Sequence, residues 1–179
     1  MNPPFDRSYW VVPGMFCAGS FPGDREPARL ETNMRSLLDR GIRHIINLME
    51  RDEVDFSGRL FASYEKTWHD LAAVRGYAVS VGRFPIADMG VPDIGLMKNI
   101  LDDIDRSMAA ALPVFLHCWG GVGRTGTVVG CWLARRGVAS GREILTRMNE
   151  LRRGTVNIEL VSPQTGAQRS MILNWRRGE

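Results

Sequence analysis

The sequence predicts an α/β fold, a largely parallel central sheet flanked by helices. Two observations carry that expectation. From about residue 27 onward, short apolar runs alternate with longer stretches of helical period, separated by glycine, proline or charged turn residues. The chain is also 179 residues long, 44% hydrophobic and 24% charged, which suits one domain with a sizeable core. The expectation is a single domain over residues 1–179, with an N-terminal hairpin at about 9–19 and a core at about 27–176.

Trp10-Val11-Val12 and Met15-Phe16-Cys17-Ala18 flank Pro13-Gly14, the pattern of a hairpin. Pro27 suits the first turn of a helix reaching about Arg40, with Leu30, Met34, Leu37 and Leu38 on one face and Gly41 as its stop. His44 to Leu48 reads as a buried strand, and the charged stretch Glu50 to Asp55 as the loop leaving it. A helix from Ser63 to Arg75 ends at Gly76, and Tyr77 to Phe84 returns as a strand. The spacing of Ile94, Met97, Ile100, Leu101 and Ile104 predicts a helix from Ile94 to about Met108. Val114 to Leu116 is the next buried strand. Helices over Thr125–Arg136, Gly141–Arg153 and Pro163–Arg176 complete the chain, the last with Gln164 in its first turn.

Composition narrows the function classes. A net charge of +3 is too small to imply nucleic acid, although residues 135–179 hold nine arginines against four acids. No apolar run approaches the roughly 18–20 residues of a membrane span. The start, Met1-Asn2-Pro3-Pro4-Phe5-Asp6-Arg7, lacks the basic-then-apolar layout of a secretory signal. Cys17, Cys118 and Cys131 are too few and odd in number for a disulfide framework, which points to a reducing, cytoplasmic setting. His44 and His69 have no metal-ligand spacing, so no metal and no cofactor are expected. Oligomeric state has no signal in the sequence.

The chemistry concentrates in Leu116-His117-Cys118-Trp119-Gly120-Gly121-Val122-Gly123-Arg124-Thr125-Gly126. A buried strand feeds a cysteine, a glycine-rich turn follows, and then a helix begins. Unpaired backbone N–H groups and the helix dipole make such a turn an anion cradle. Positive charge and helix N-termini lower a cysteine pKa from its ordinary value of about 8.5. The planar fork of Arg124 grips two phosphate oxygens at once. Trp119, Gly120, Gly121, Val122, Gly123 and Arg124 are therefore the candidate phosphate-binding residues. A nucleotide-binding G-x-x-x-x-G-K-[ST] loop is absent, because Arg124 stands where lysine is required.

His117-Cys118, five residues, then Arg124-Thr125-Gly126 resembles the signature of the cysteine-dependent protein tyrosine and dual-specificity phosphatases. Phe84-Pro85-Ile86-Ala87-Asp88 and Val91-Pro92-Asp93-Ile94 resemble the general-acid loop of the kinase-associated, cyclin-dependent kinase inhibitor 3-like type. Gln164-Thr165-Gly166-Ala167-Gln168 resembles the glutamine motif of tyrosine phosphatases. The resemblance spans roughly Phe84 to Trp175 and implies a phosphotyrosine phosphatase-like fold. It implies a metal-independent reaction on a phosphorylated protein or peptide, inhibited by phosphate analogues such as vanadate.

In that reading Cys118 is the nucleophile, Arg124 holds the phosphoryl oxygens and Asp88 is the general acid. Thr125 stabilises the departing thiolate, and Gln164 orients the water that ends the reaction. Asp93 is the alternative acid but sits where a helix N-cap is expected. Gln168 is the alternative to Gln164. His117 supports the loop from beneath rather than acting as a base, and Asn47 and Glu50 are weaker candidates for support. Trp119 is either an apolar wall beside the substrate or scaffold. Cys17 or Cys131 could trap an oxidised Cys118, against the plainer role of buried thiols. Phosphotyrosine and phosphoserine or phosphothreonine both remain open as substrates. Two rival functions stand beside these, a phosphoinositide phosphatase and a non-catalytic phosphate-binding pseudophosphatase. Residues 119–123 contain no lysine, which argues against a highly charged headgroup.

Overall fold

The computed structural model describes residues 2–179. Its five strands are β1 (Ser8–Val12), β2 (Phe16–Gly19), β3 (His44–Asn47), β4 (Ser80–Arg83) and β5 (Val114–His117), in the order β1-β2-β5-β3-β4. The hairpin pair β1–β2 is antiparallel, and all other pairs are parallel. Six helices surround the sheet: α1 (Pro27–Asp39), α2 (Glu65–Val74), α3 (Ile94–Ala109), α4 (Arg124–Arg135), α5 (Glu143–Arg152) and α6 (Gly166–Asn174). This is the expected α/β layout.

Strand alternation sorts the core into two layers. Val114 and Leu116 of β5, Ile46 of β3, and Phe16 and Ala18 of β2 join the cluster packed against α3, α4, α5 and α6. Their neighbours Phe115, Ile45 and Cys17 point the other way, into a cluster with Met34 and Leu37 of α1 and Trp68 and Ala72 of α2. β5 is therefore buried on both faces and paired on both edges, and it reads as a continuous apolar run for that reason. Truncating any such residue to alanine costs about 2–5 kcal/mol.

Helix ends otherwise fall within two residues of the sequence reading, and three stretches differ by more. β4 is shorter than Tyr77–Phe84, because this edge strand pairs only with the four residues of β3. The charged stretch after β3 is a small hairpin closed by a Val54–Leu60 bridge rather than open loop. α6 starts at Gly166, not Pro163. Thr165 caps it, its side chain accepting from Gln168 N while the Gln168 side chain accepts from Thr165 N. Gln164 thus lies before the helix rather than in its first turn.

Parallel pairing places the carboxyl ends of β2, β3, β4 and β5 along one edge. The segments leaving those ends are Ser20, Leu48–Glu53, Phe84–Asp88 and Cys118–Gly123. Open α/β sheets bind ligands at this edge.

Candidate active site

Cys118 follows the last residue of β5 and is 2% exposed. The loop from Cys118 to Gly123 then leads into α4, whose first residue is Arg124. Its carbonyls are tied away from the centre. Trp119 O accepts from Phe21 N at 2.8 Å, Gly120 O from Asn157 Nδ2 at 3.0 Å, Val122 O from Ser162 Oγ at 2.7 Å and Gly123 O from Thr127 N at 2.9 Å. Among the described residues, the amides of 119–123 donate no backbone hydrogen bond. Carbonyls held outward and amides left free are what an anion cradle requires.

Two glycines shape this loop. Gly121 has φ +72°, and a Cβ there would stand 2.5 Å from the Gly19 carbonyl carbon. The end of β2 thus presses against the cradle, and only glycine fits both the conformation and the gap. Gly123 is covered by the Gln164 side chain, whose Oε1 occupies the space a Cβ would take.

Thr125 Oγ1 lies 3.1 Å from Cys118 Sγ, placing a hydroxyl donor on the candidate nucleophile. His117 is fully buried beneath it. Its Nδ1 is 3.2 Å from Cys118 O, which can only accept, so Nδ1 carries the proton and Nε2 accepts from Tyr64 Oη at 2.7 Å. Burial pushes His117 down to about 3, opposed by its hydrogen bond to Cys118 O and assisted by the Arg83 and Arg124 charges. Both ring nitrogens are thus engaged, and the ring braces the loop from beneath.

Arg124 is buried at the centre. Nη1 donates to Glu53 Oε2 and Nη2 to Glu53 Oε1, both at 2.7 Å, and Nη1 also reaches Ile86 O at 3.0 Å. Asp88 Oδ1 lies 3.0 Å from Nη2. Burial works against the guanidinium charge, but Glu53, Cys118 and Asp88 together hold its pKa above the ordinary value. Nε has no partner. A buried donor without a partner is costly, and Arg152 Nε is in the same position elsewhere in the chain.

The alternatives left by the sequence differ in their surroundings. Asp88 reaches Arg124 from a loop that is half exposed, whereas the Asp93 carboxylate accepts from Leu96 N at 2.7 Å as the N-cap of α3. The buried Gln168 amide is fully engaged, its Oε1 accepting from Gln164 N and Thr165 N and its Nε2 donating to Gly90 O at 2.9 Å. It fastens α6 to the loop of Asp88 and leaves Gln164 as the free amide over the cradle. Asn47 Oδ1 accepts from Met49 N, which shapes the loop after β3. Glu50 is exposed, and the acid of this stretch that reaches Arg124 is Glu53. His44 lies far along the sheet at the start of β3, engaged by Ser80 and by Asp103, each at 2.7 Å.

Glu53, Tyr64, Asn157 and Ser162 were not found from the sequence. Their partners are distant along the chain, Glu53 and Arg124 being 71 positions apart, and no local spacing marks such a pair.

A strand, a cysteine, an amide cradle and a helix-borne arginine at the carboxyl edge of a parallel sheet define a cysteine phosphatase type of domain. The chain belongs to the family described as "PTP-SAK: Swiss Army Knife protein, DSP-PTPase phosphatase domain", which matches residues 6–165. Cyclin-dependent kinase inhibitor 3 of Rattus norvegicus is 33% identical over 57 residues, 32% of this chain and 27% of that protein. Dual specificity protein phosphatase CDC14C of Symphalangus syndactylus is 25% identical over 156 residues, 82% of this chain and 28% of that protein. The chain thus spans less than a third of the length of these two relatives. Among solved structures, Tk-PTP in its active form is 25% identical with a TM-score of 0.64, covering 94% of this chain and 95% of that one. PTPMT1, solved in complex with PI(5)P, shares the fold at 18% identity with a TM-score of 0.66, covering 95% and 94%. Among the described residues no helix is long and apolar enough to cross a membrane.

Proposed function

We propose that this chain hydrolyses phosphate monoesters on proteins or peptides through a phosphocysteine intermediate. Phosphotyrosine is one substrate class and phosphoserine or phosphothreonine the other. The carrying observation is the Thr125 hydroxyl on Cys118 Sγ, at the head of a loop whose amides make no backbone hydrogen bond and which leads into the buried Arg124.

The phosphate sits in the cradle with its equatorial oxygens on the amides and on Arg124. The Cys118 thiolate attacks phosphorus, the S–P bond forms and the P–O bond to the leaving group breaks. Asp88 gives that oxygen its proton, an assistance worth roughly 10²- to 10⁴-fold. Asp88, now ionised, takes a proton from water oriented by Gln164. The resulting hydroxide attacks phosphorus, the S–P bond breaks, and Thr125 steadies the released thiolate. Charge stabilisation by fixed donors does most of this work, as in other phosphoryl transfers. The setting is cytoplasmic, and vanadate inhibits.

A phosphoinositide is the second reading, favoured by the PI(5)P complex of a protein with the same fold. The absence of any basic side chain from residues 119–123 weighs against it. Hydrolysis of p-nitrophenyl phosphate across pH 5 to 8, with EDTA and with or without vanadate, tests the proposal. Activity that survives chelation and is lost to vanadate supports it. Freshly reduced protein that turns over nothing leaves the phosphate-binding reading in its place.

A further inference from the structure

Asn157 lies 37 positions from Gly120 and donates to its carbonyl from Nδ2 at 3.0 Å. The carbonyl of Gly120 and the N–H of Gly121 share one trans peptide plane and point opposite ways. Holding that oxygen outward therefore turns the Gly121 N–H toward the cradle. Two other planes of the loop are held as well, through Trp119 O by Phe21 N and through Val122 O by Ser162 Oγ. The Gly120–Gly121 plane differs from them in its surroundings. Gly120 is exposed, and a Cβ on it would meet nothing within 4 Å. Gly120 thus brings no packing of its own to resist rotation, and the Asn157 amide is what fixes the plane.

The turn that carries Asn157 belongs to no helix or strand, yet its backbone is tied down. Arg152, the last residue of α5, sends Nη2 to Asn157 O at 2.9 Å and Nη1 to Leu160 O at 3.0 Å. Asn157 O also accepts from Leu160 N at 3.1 Å, and Val156 N donates to Asp6 O at 3.1 Å. Arg152 is 1% exposed, and among the described residues no carboxylate pairs with it. A guanidinium buried without a counter-ion costs stability, and here both of its terminal nitrogens are committed to one turn. The residue that grips the cradle is therefore itself gripped from beneath.

We infer that Asn157, seated by Arg152, is a positioning residue that keeps the Gly121 amide turned toward a bound phosphoryl group. The inference rests on the reading of this loop as a phosphate cradle. Without the Asn157 amide the Gly120–Gly121 plane is free to rotate, and rotation puts a carbonyl oxygen where an anion's oxygen should sit. That exchange removes one donor and adds one repulsive dipole. Ser162 still holds the plane that aims the Gly123 N–H, so the effect is confined to one amide.

The test titrates isotopically labelled protein with inorganic phosphate and follows the Gly121 and Gly123 amide signals by NMR. Both are expected to move in the wild type. Asn157→Ala should weaken phosphate binding about tenfold, the scale on which one hydrogen bond to a charged group acts. The Gly121 response should be lost in that variant and the Gly123 response kept. Arg152→Lys keeps the charge without the fork, and should weaken binding in the wild type but add nothing to Asn157→Ala. Unchanged affinity and Gly121 response in Asn157→Ala, or equal loss at Gly121 and Gly123, overturns the positioning role and leaves the phosphatase reading standing. Losses from Arg152→Lys and Asn157→Ala that multiply overturn the part given to Arg152. A wild type that binds no phosphate overturns the cradle and the inference together.

Discussion

Glu53 holds Arg124 with both carboxylate oxygens, each 2.7 Å from a guanidinium nitrogen, and neither side chain is more than one-tenth exposed. The pair fixes the plane of the guanidinium and leaves Nε pointing at no protein group. An arginine held this way has little orientation left to lose when a phosphate arrives.

Removing the acid leaves Arg124 with only the half-exposed Asp88 carboxylate as a counter-charge. Glu53→Ala is expected to destabilise the fold by about 3–5 kcal/mol, the cost of breaking a buried pair from one side. Urea unfolding of the wild type and the variant measures it. The kcat/KM for p-nitrophenyl phosphate should fall as well, because Arg124 is then free to turn away from the cradle. Unaltered stability and activity would show the pair to be incidental.

The proposal gives Asp88 and Asp93 different roles. Asp88→Asn should reduce kcat by about 10²- to 10⁴-fold for esters with poor leaving groups, and less for p-nitrophenyl phosphate, which departs without help. Asp93→Ala should leave kcat in place and cost about 0.5–2 kcal/mol of stability through the lost cap on Leu96 N. The reverse pattern in steady-state kinetics would exchange the two roles.

His117 sets a pH dependence of stability. Its native value of about 3 lies below the ordinary value of about 6.5, so between those limits the unfolded chain binds a proton that the native protein does not. Stability therefore falls as pH drops from 6.5, with a slope approaching about 1.4 kcal/mol per pH unit for this one group. Chemical denaturation at pH 6.5, 5.5 and 4.5 reads the slope. In His117→Asn that part of the slope should vanish, whatever the variant's absolute stability.

What the sequence made legible was local. The strand, cysteine, glycines and arginine of the cradle are contiguous, and Asp88 follows its own strand directly, so order and spacing carried them. Fold class was readable because each layer of the core is written as strand alternation or helical period, as at Val114-Phe115-Leu116 and along α3. Glu53 and Tyr64 reach the site only through tertiary packing, and a charged hairpin has no period to betray which of its acids turns inward. The start of α6 is a different case. Pro163 carries a first-turn signal, but Thr165-Gly166-Ala167-Gln168 spells a capping box, and the box sets the start. Gln164 therefore stands ahead of the cap, and its side chain lies over Gly123.

The most direct test of the account separates chemistry from binding at Cys118. Turnover of p-nitrophenyl phosphate in EDTA and binding of inorganic phosphate by calorimetry would be measured for the wild type and Cys118→Ser. The account predicts that the variant loses turnover and still binds phosphate, because the amides, Arg124 and Thr125 remain in place. Turnover undiminished in Cys118→Ser would contradict it, since the reaction would then proceed without the thiolate on which the proposal rests.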